Sequence, residues 1–425
     1  MAQIKQKNYE ESIRVRRWIL LEKLVHNLKH CGYVQTPQLE EAFRAVPRHA
    51  FLPNSALEDI YSFHAVITRT RDGIPISSSS QPPQMATLLE QIDLKPGQKV
   101  LEIGAGTGYN AGLMAHIVGE NGQVITIDID DDIVSDAQEN LKSAGISNVV
   151  VVCGDGGFGY PDNAPYDRII LSVGAWDLAP AWIEQLKPGG KLLVPLWIRG
   201  EQRSITFQLV HGILYSASIE RIGFIRLRGA FQGPESFLLL DPDTNFTLTA
   251  DNISETNTDE QSALFMKKGK DEPIKIRATS DEIFNDLSLW IAVSDPDFFI
   301  LTAEGEPEDI GSIPYLFGYP GKMHSAIGSR TKEGMCILIH PLSISQDYSQ
   351  VPKDSDPFDL YVRSYGNVEE LFNRFVGYIQ AWEDSGRPSV KNLTIKALPA
   401  GTDYSPFTNE VVIEKKRYRF VFTWN

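Results

Sequence analysis

An α/β fold with a mainly parallel sheet is predicted for the middle of this chain, on two observations. Between Leu94 and about Arg228, apolar strand-like runs alternate with helical stretches; the runs are VLEIG, VITID, VVVVCG, RIILSV, KLLVPLW and SITFQLV. Such alternation is typical of a parallel sheet covered by helices on both faces. The first run leads through a glycine-rich turn into a helix-like segment, AGLMAHIVG, and α/β proteins commonly bind nucleotides at such a turn.

The glycine-rich turn and the strand ends that follow it predict a nucleoside cofactor. Glycines there allow a sharp turn and a close approach of ligand to backbone. The next strand ends in Asp128, and an acidic residue at that position is placed to bind ribose hydroxyls. The residues predicted to bind the cofactor are Glu102, Gly104, Ala105, Gly106, Thr107, Gly108, Asp128, Ile129, Gly154, Asp155 and Gly156.

The glycine spacing favours S-adenosylmethionine over a dinucleotide. A dinucleotide site requires G-x-G-x-x-G, because the pyrophosphate lies on a helix N-terminus. This chain has G-x-G-x-G, preceded by Glu102, whose carboxylate suits the amino group of S-adenosylmethionine. A tight strand-to-helix turn without any ligand is the simpler alternative.

Composition excludes several classes of protein. A chain of 425 residues is long enough for two or three domains. Its net charge of -15 argues against nucleic acid as the main partner. No membrane span or signal peptide is predicted, because apolar runs are short and residues 1–17 are polar. Its scattered cysteines, Cys31, Cys153 and Cys336, predict neither a disulfide framework nor a metal site, and they favour a cytoplasmic location.

Four regions are predicted along the chain. Residues 1–93 hold N-terminal helices, including an amphipathic helix over 11–32, and a substrate-side segment; residues 94–231 form the cofactor-binding core. Residues 232–275, rich in Asp, Asn, Thr and Ser, indicate a linker or boundary. Residues 276–425 are predicted to be an α+β domain, with strands at LWIAVS, DFFILTA, MCILIH and RYRFVFTW and a helix ending at Gly386. This last region is a candidate for peptide recognition.

A series of motifs gives the chain a family resemblance. VPRHAFLP, Ser-Gln-Pro at Ser80–Pro82, LEIGAGTGYN, GDGGFGY, APYD and QLKPGGKLLVP occur in this order. Over roughly residues 15–228 they resemble protein-L-isoaspartate O-methyltransferase. The resemblance implies a class I methyltransferase fold, methyl transfer from S-adenosylmethionine to a peptide carboxylate, and Ser80 and Ser78 as the catalytic residues. It also implies that Asp155 contacts the adenine amino group.

Some positions depart from the family pattern and are predicted to contact substrate. Ser79 stands where the family has isoleucine, VGAWD places Trp176 and Asp177 near the site, and Arg226 replaces a proline. These departures and the C-terminal extension resemble a branch associated with ribosomally made modified peptides, in which an aspartate is methylated and closes to an aspartimide. Asp177 is also a candidate helix cap.

The residues agree with carboxylate chemistry, because a carboxylate is already ionised at pH 7 and needs no general base. Serine hydroxyls orient a carboxylate oxygen without quenching its charge. The sequence and the resemblance therefore predict an aspartyl or isoaspartyl carboxyl methyltransferase that acts on a peptide or protein, with a ribosomally made modified peptide as the favoured substrate. General isoaspartyl repair is the alternative, and a non-catalytic cofactor-binding scaffold is the alternative from another class. The oligomeric state is left open.

Overall fold

The computed structural model describes residues 2–71, 73–234, 236–251, 253, 258–265, 267–305, 317–318, 323–341 and 356–425. The chain divides into two compact units. The first comprises Met1–Leu196, Arg203–Gln232 and Lys416–Tyr418, and the second comprises Trp197–Gln202, Gly233–Lys415 and Arg419–Asn425. No helix of the described residues is both long enough and apolar enough to cross a membrane.

The first unit contains the predicted α/β core and the N-terminal helices. Its helices are α1 Ala2–His30, α2 Pro37–Ala45, α3 Leu57–Ile60, α4 Pro82–Ile92, α5 Tyr109–Val118, α6 Asp131–Ser143 and α7 Pro180–Glu184. Its strands are β1 Val66–Arg71, β2 Ile74–Ser79, β3 Lys99–Ile103, β4 Gln123–Asp128, β5 Val149–Cys153, β6 Tyr166–Leu171, β7 Leu186–Ile198, β8 Glu201–Val210 and β9 Ile213–Arg221.

The main sheet of this unit has the order β9-β8-β7-β6-β3-β4-β5. The pairs β6–β7, β3–β6, β3–β4 and β4–β5 are parallel, whereas β8 pairs antiparallel with β9. The order reverses beside β3, where chain connections leave in opposite directions, and ligands bind at such a switch point. Strands β1 and β2 form a separate antiparallel hairpin. The fold is a class I methyltransferase fold with a mixed sheet, as the sequence predicts.

The N-terminal helix is longer than the predicted span and buries only part of its apolar stripe. Val25 and Leu28 are fully buried, whereas Trp18 is 62% exposed. Trp18 therefore lies outside the buried part of the stripe. The second helix begins at Pro37, and proline fits the first turn of a helix.

The second unit is rich in strands. Its strands are β10 Phe237–Asp241, β11 Phe246–Ala250, β12 Lys270–Ala278, β13 Phe298–Glu304, β14 Phe317–Gly318, β15 Met323–Arg330, β16 Gly334–Ile339, β17 Phe358–Gly366, β18 Leu393–Pro399, β19 Glu410–Glu414 and β20 Tyr418–Trp424. Its helices are α8 Thr258–Phe265, α9 Ser280–Glu282, α10 Ser288–Ser294 and α11 Glu369–Asp384. One sheet has the order β10-β11-β13-β15-β16-β17-β12, and β19-β20-β18 are neighbours in another.

The predicted linker or boundary, 232–275, contains strands β10 and β11 and helix α8, and the chain passes from the first unit to the second between Gln232 and Gly233. Phe246, Leu248 and Phe265 of this segment belong to the core of the second unit. Polar residues Asp243, Thr244 and Asn245 of this segment lie in the turn between β10 and β11. The strand predicted at LWIAVS is wrong: this run lies within helix α10, because a short, largely buried apolar run has no periodicity to separate helix from strand.

Candidate active site

The glycine-rich turn forms a cradle at the end of β3. Gly104, Gly106 and Gly108 all have positive φ, at 97°, 51° and 82°. A Cβ at Gly104 would lie 2.8 Å from Cγ1 of Val173, and one at Gly106 would lie 3.3 Å from the carbonyl oxygen of Ser78. Glycine is therefore required here both by backbone conformation and by space.

Asp128 closes the cradle from the end of β4. One carboxylate oxygen of Asp128 accepts a hydrogen bond from the backbone N–H of Gly106 at 3.0 Å, and the other accepts one from Ile129 at 2.9 Å. Burial raises the pKa of Asp128, and these backbone donors oppose that rise. The carboxylate is held rigidly at the carboxyl end of the sheet, where the ribose of a nucleoside is expected.

A cavity of about 230 Å³ joins the cradle to the serine segment. Its wall contains predicted cofactor residues, predicted catalytic residues and several residues that the sequence did not single out. The lining residues used below are Ser78, Ser79, Ser80, Gly104, Ala105, Gly106, Thr107, Tyr109, Asn110, Asp128, Ser172 and Val173. The fold thus brings together two motifs that lie about 25 residues apart in the chain.

The four serines alternate in burial along the end of β2. Ser77 and Ser79 are buried, whereas Ser78 and Ser80 are half-buried. This alternation follows from the two-residue period of a strand. Ser79 is 2% exposed, and its hydroxyl accepts a hydrogen bond from Nη2 of Arg48 at 3.3 Å. Ser79 also lines the cavity, and its contact with substrate stays a prediction; Ser78 and Ser80 have the more accessible positions.

Glu102 lies behind the cavity wall and not in it. Its carboxylate is fully buried and accepts hydrogen bonds from Asn110 Nδ2 at 2.8 Å, Thr126 Oγ1 at 2.7 Å and Ser172 Oγ at 2.7 Å. Burial raises the pKa of Glu102 to about 7. Glu102 is linked to the cavity through Asn110 and Ser172, which line it, and its direct contact with a cofactor stays a prediction.

Asn110 supplies an acceptor that fits an amino group. Its Nδ2 is occupied by Glu102 and by Ser172 Oγ, at 2.8 and 3.2 Å. Its buried amide oxygen has no hydrogen-bond partner among the described residues. A buried acceptor without a partner is costly, and a cationic amino group of a cofactor would satisfy it. The cradle, Asp128 and this oxygen together fit the amino group and ribose of S-adenosylmethionine.

The GDG segment is tied to the chain that follows β9. Asp155 accepts hydrogen bonds from the backbone N–H groups of Gly157 at 2.9 Å and Ala230 at 2.6 Å. A smaller cavity of about 50 Å³ is lined by Ile129, Gly156 and Arg226, and it shares Gly104 and Asp128 with the larger one. Gly154 and Asp155 line neither of these two cavities, so their predicted cofactor contacts are not reproduced by the geometry.

The VGAWD segment does not reach the cavity. Asp177 is 3% exposed, and its two carboxylate oxygens accept from the backbone N–H groups of Leu178 at 2.8 Å and Arg417 at 2.7 Å. Asp177 thus joins two backbone segments. Trp176 is half-buried, and neither Trp176 nor Asp177 lines either of these cavities, so their contacts with substrate stay predictions. Of the departures, only Arg226 and Ser79 lie at a cavity wall.

Sequence reasoning missed three residues that the site uses. Arg48 stands in VPRHAFLP, Asn110 directly follows the glycine turn, and Ser172 follows β6. No pattern in the sequence pairs them with Glu102 or with the serines, because those contacts join segments about 8 to 70 residues apart. The position of Ser172 at the end of a strand next to β3 is the one available signal.

The fold and the cavity define a class I methyltransferase that uses S-adenosylmethionine. A family model described as protein-L-isoaspartate(D-aspartate) O-methyltransferase (PCMT) matches residues 20–230. Protein-L-isoaspartate O-methyltransferases from Methanopyrus kandleri and Methanococcus aeolicus are 40% and 37% identical to this chain over 185 and 209 residues. These alignments cover 43% and 49% of this chain and 78% and 94% of the relatives. The chain belongs to the protein-L-isoaspartate O-methyltransferase family, and it is a carboxyl O-methyltransferase.

A third relative bears on the C-terminal extension. The protein-L-isoaspartate O-methyltransferase of Thermotoga maritima is 40% identical over 187 residues, and the alignment covers 44% of this chain and 58% of that protein. A large part of that relative therefore also lies outside the matched core. The presence of additional residues outside the methyltransferase core therefore does not by itself distinguish this protein from relatives named as protein-L-isoaspartate O-methyltransferases.

Proposed function

We propose that this chain methylates the free carboxylate of L-isoaspartyl residues in peptides or proteins. The observation that carries the proposal is the shared cavity, in which Ser78 and Ser80 lie on the same wall as Gly106 and Asp128. One cavity thus contains the residues expected to hold the methyl donor and the hydroxyls expected to hold a carboxylate. Relatives at 37–40% identity that bear the isoaspartyl name support this substrate over aspartate.

The proposed chemistry requires orientation and not proton transfer. S-adenosylmethionine supplies an electrophilic methyl group when it is bound. The carboxylate oxygen forms a bond to the methyl carbon as the bond from that carbon to sulfur breaks, and no proton moves. The hydroxyls of Ser78 and Ser80 donate hydrogen bonds that orient the attacking oxygen, and they supply part of the gain of up to about 7–11 kcal/mol that complete positioning of two reactants can give.

The proposed product then reacts without further help from the protein. Methanol is a better leaving group than hydroxide, so the next backbone nitrogen displaces it and closes a succinimide. Hydrolysis of that ring returns a mixture of aspartyl and isoaspartyl residues. Repeated rounds convert isoaspartate to aspartate, which is the repair interpretation.

Methylation of an aspartate in a ribosomally made modified peptide, leading to an aspartimide, is the second candidate. The observation in its favour is Arg226, which replaces the family proline and lines the smaller cavity. Under this proposal the C-terminal region, 276–425, recognises the peptide. The sequence departures favour this candidate more than the geometry does, since Trp176 and Asp177 lie outside both cavities.

Paired peptides test the two candidates. The full chain is incubated with S-adenosylmethionine and with two peptides that differ only in isoaspartate or aspartate, and mass and methanol release are followed. Methylation of the isoaspartyl peptide alone is the expected result. Methylation of the aspartyl peptide, or of neither peptide while calorimetry shows S-adenosylmethionine bound, contradicts the proposal.

A matched pair of variants ties the activity to the serine wall. Ser80→Ala removes a cavity hydroxyl and is expected to lower kcat by about 10-fold or more, because one oriented hydrogen bond is lost in the transition state. Ser147→Ala changes an exposed serine outside the site and is expected to match the wild type. Equal activity of the two variants rules out the proposed role of Ser80.

A further inference from the structure

Arg48 is a fully buried cation beside the serine segment. It opens a short 3₁₀ turn, Arg48–Ala50, and its side chain has no exposed surface. Nη2 donates hydrogen bonds to Ser79 Oγ at 3.3 Å and to the carbonyl oxygen of Ser80 at 3.1 Å. Cζ lies 5.4 Å from the centre of the Tyr109 ring, which lines the cavity. Arg48 therefore supports the serine wall from behind.

The guanidinium of Arg48 is incompletely paired. Nε and Nη1 are buried and have no hydrogen-bond partner among the described residues. No salt bridge of the described residues includes Arg48 either, as its partners are a hydroxyl and a carbonyl. Although burial lowers the pKa of Arg48, a guanidinium remains protonated in proteins. The protein therefore retains a buried positive charge without a negative partner, which is a costly arrangement.

The missing counter-charge belongs on the cavity side of the serine wall. The other group in contact with Arg48, Tyr109, also has a buried hydroxyl without a partner in the described chain. Burial raises the pKa of Tyr109, so this phenol is neutral and does not balance Arg48. The cavity bordered by Ser79, Ser80 and Tyr109 is the space adjoining all of these groups.

We propose that Arg48 is a positioning residue whose charge attracts a carboxylate to the serine wall, an inference that rests on the proposed function. Arg48 holds Ser79 and Ser80 in place, and its field stabilises the carboxylate through the wall. Either of two molecules can supply this carboxylate: the substrate residue, or the methionine portion of the cofactor. In both cases one carboxylate binds at Ser78–Ser80.

The direction of the kinetic effect follows from the charge change during methyl transfer. A substrate carboxylate is negative in the ground state and becomes neutral as the ester forms. A nearby positive charge therefore stabilises the bound substrate at least as much as the transition state, and its loss raises KM more than it lowers kcat. A cofactor carboxylate keeps its charge throughout, so in that case the loss weakens cofactor binding.

Two substitutions separate charge from packing. Arg48→Met keeps the length and removes the charge, whereas Arg48→Lys keeps the charge and loses the planar fork. If the substrate supplies the carboxylate, we expect Arg48→Met to raise the KM for the peptide by about 10-fold or more. If the cofactor supplies it, we expect the same substitution to raise the Kd of S-adenosylhomocysteine by about 10-fold or more. Arg48→Lys is expected to restore most of that loss. We also expect Arg48→Met to unfold at no lower urea concentration than the wild type, because an uncompensated charge is removed.

The contrary results are equally specific. If Arg48→Met folds and leaves both peptide KM and the Kd of S-adenosylhomocysteine within twofold of the wild type, the proposal is overturned. Equal impairment of Arg48→Met and Arg48→Lys also overturns it, since the loss would then follow guanidinium packing and not charge.

Measurements on the wild type keep the test decisive if Arg48→Met does not fold. Binding of the isoaspartyl peptide is compared with that of its carboxamide analogue, and binding of S-adenosylhomocysteine is compared with that of its decarboxylated analogue, which keeps the amino group and lacks only the carboxylate. Preference for a carboxylate by about 10-fold in either pair supports the inference, and less than threefold in both contradicts it. If the wild type does not methylate the isoaspartyl peptide, the proposed function fails. The comparison of S-adenosylhomocysteine with its analogue still tests whether a carboxylate binds beside Arg48.

Discussion

At the scale of single residues, the site depends on glycines that no other residue replaces. Gly104 combines a φ of 97° with a Cβ position 2.8 Å from Val173 Cγ1. Gly97 has a similar φ of 81°, but its Cβ position has no atom within 4 Å. Substituting alanine at Gly97 tests the effect of backbone strain alone, whereas alanine at Gly104 adds a steric clash at the cavity wall.

We expect Gly104→Ala to weaken cofactor binding by about 10-fold or more, and Gly97→Ala to leave it unchanged. Both substitutions incur the left-handed backbone cost of about 1–2 kcal/mol, but only the first also displaces Val173 at the cavity wall. Calorimetry with S-adenosylhomocysteine measures the binding, and urea unfolding measures the shared stability cost. Equal binding by the two variants would show that the cradle tolerates a Cβ.

Glu102 illustrates how a buried residue controls a site that it does not touch. Burial is the largest cause that raises the pKa of its carboxyl to about 7 from the ordinary value of 4.5 for a glutamate. Its three donors, Asn110, Thr126 and Ser172, lower the pKa but do not cancel burial. Between about pH 4.5 and pH 7, Glu102 is therefore protonated in the folded state but ionised in the unfolded state.

We expect the stability contributed by protonated Glu102 to be fully present below about pH 4.5 and to be lost as pH rises through about 7. Glu102→Gln is neutral at every pH and lacks this term. Relative to the variant, the wild type should lose about 3 kcal/mol of unfolding free energy between pH 4.5 and 8. Urea unfolding across this range measures the difference, and parallel pH profiles of the two proteins would contradict the assignment.

At the scale of elements, the apolar run LWIAVS shows why helix and strand are hard to separate. The helix containing it begins at a capping box, in which Thr279 and Glu282 satisfy each other's backbone N–H groups. A π-helical turn over Ile283–Leu287 then leads into α10. The start signal for this helix, Thr279, thus lies ten residues before the first residue of LWIAVS, outside the apolar run itself.

Thr279→Ala is expected to lower the stability of the second unit by about 0.5–2 kcal/mol, because the N-terminal cap of this helix is lost. Thr279→Ser retains the hydroxyl and should retain most of the stability. Urea unfolding followed by the fluorescence of the buried Trp382 reports on the core of this unit. No difference between the two variants would mean that the capping box is not stabilising.

At the scale of the whole molecule, the net charge of -15 sets the preference among peptides. A negative protein attracts cationic peptides and repels anionic ones, and salt screens this effect. Local cations do not remove the bias: Arg228 pairs with Asp130, and Arg71 lies 3.2 Å from the same carboxylate.

We therefore expect kcat/KM for an isoaspartyl peptide flanked by lysines to exceed that of one flanked by aspartates by about 10-fold at low ionic strength. The difference should shrink at 0.5 M salt, where the Debye length is about 4 Å. Steady-state methylation at two salt concentrations measures it. A preference that does not depend on salt would point to direct contacts with the flanking residues.

The sequence by itself determined the alternation of strands β3 to β8 with helical stretches, the glycine-rich turn after β3 and the acidic end of β4, because each depends on residues close together in the chain. The methyl donor and the family follow from the same local patterns. Tertiary structure alone decided that Glu102, Asp155 and Asp177 are engaged by other parts of the chain and that Arg48 lies behind the serine wall. A residue's type and neighbours in sequence show which contacts it is able to make, but burial and distant backbone donors decide which of them form.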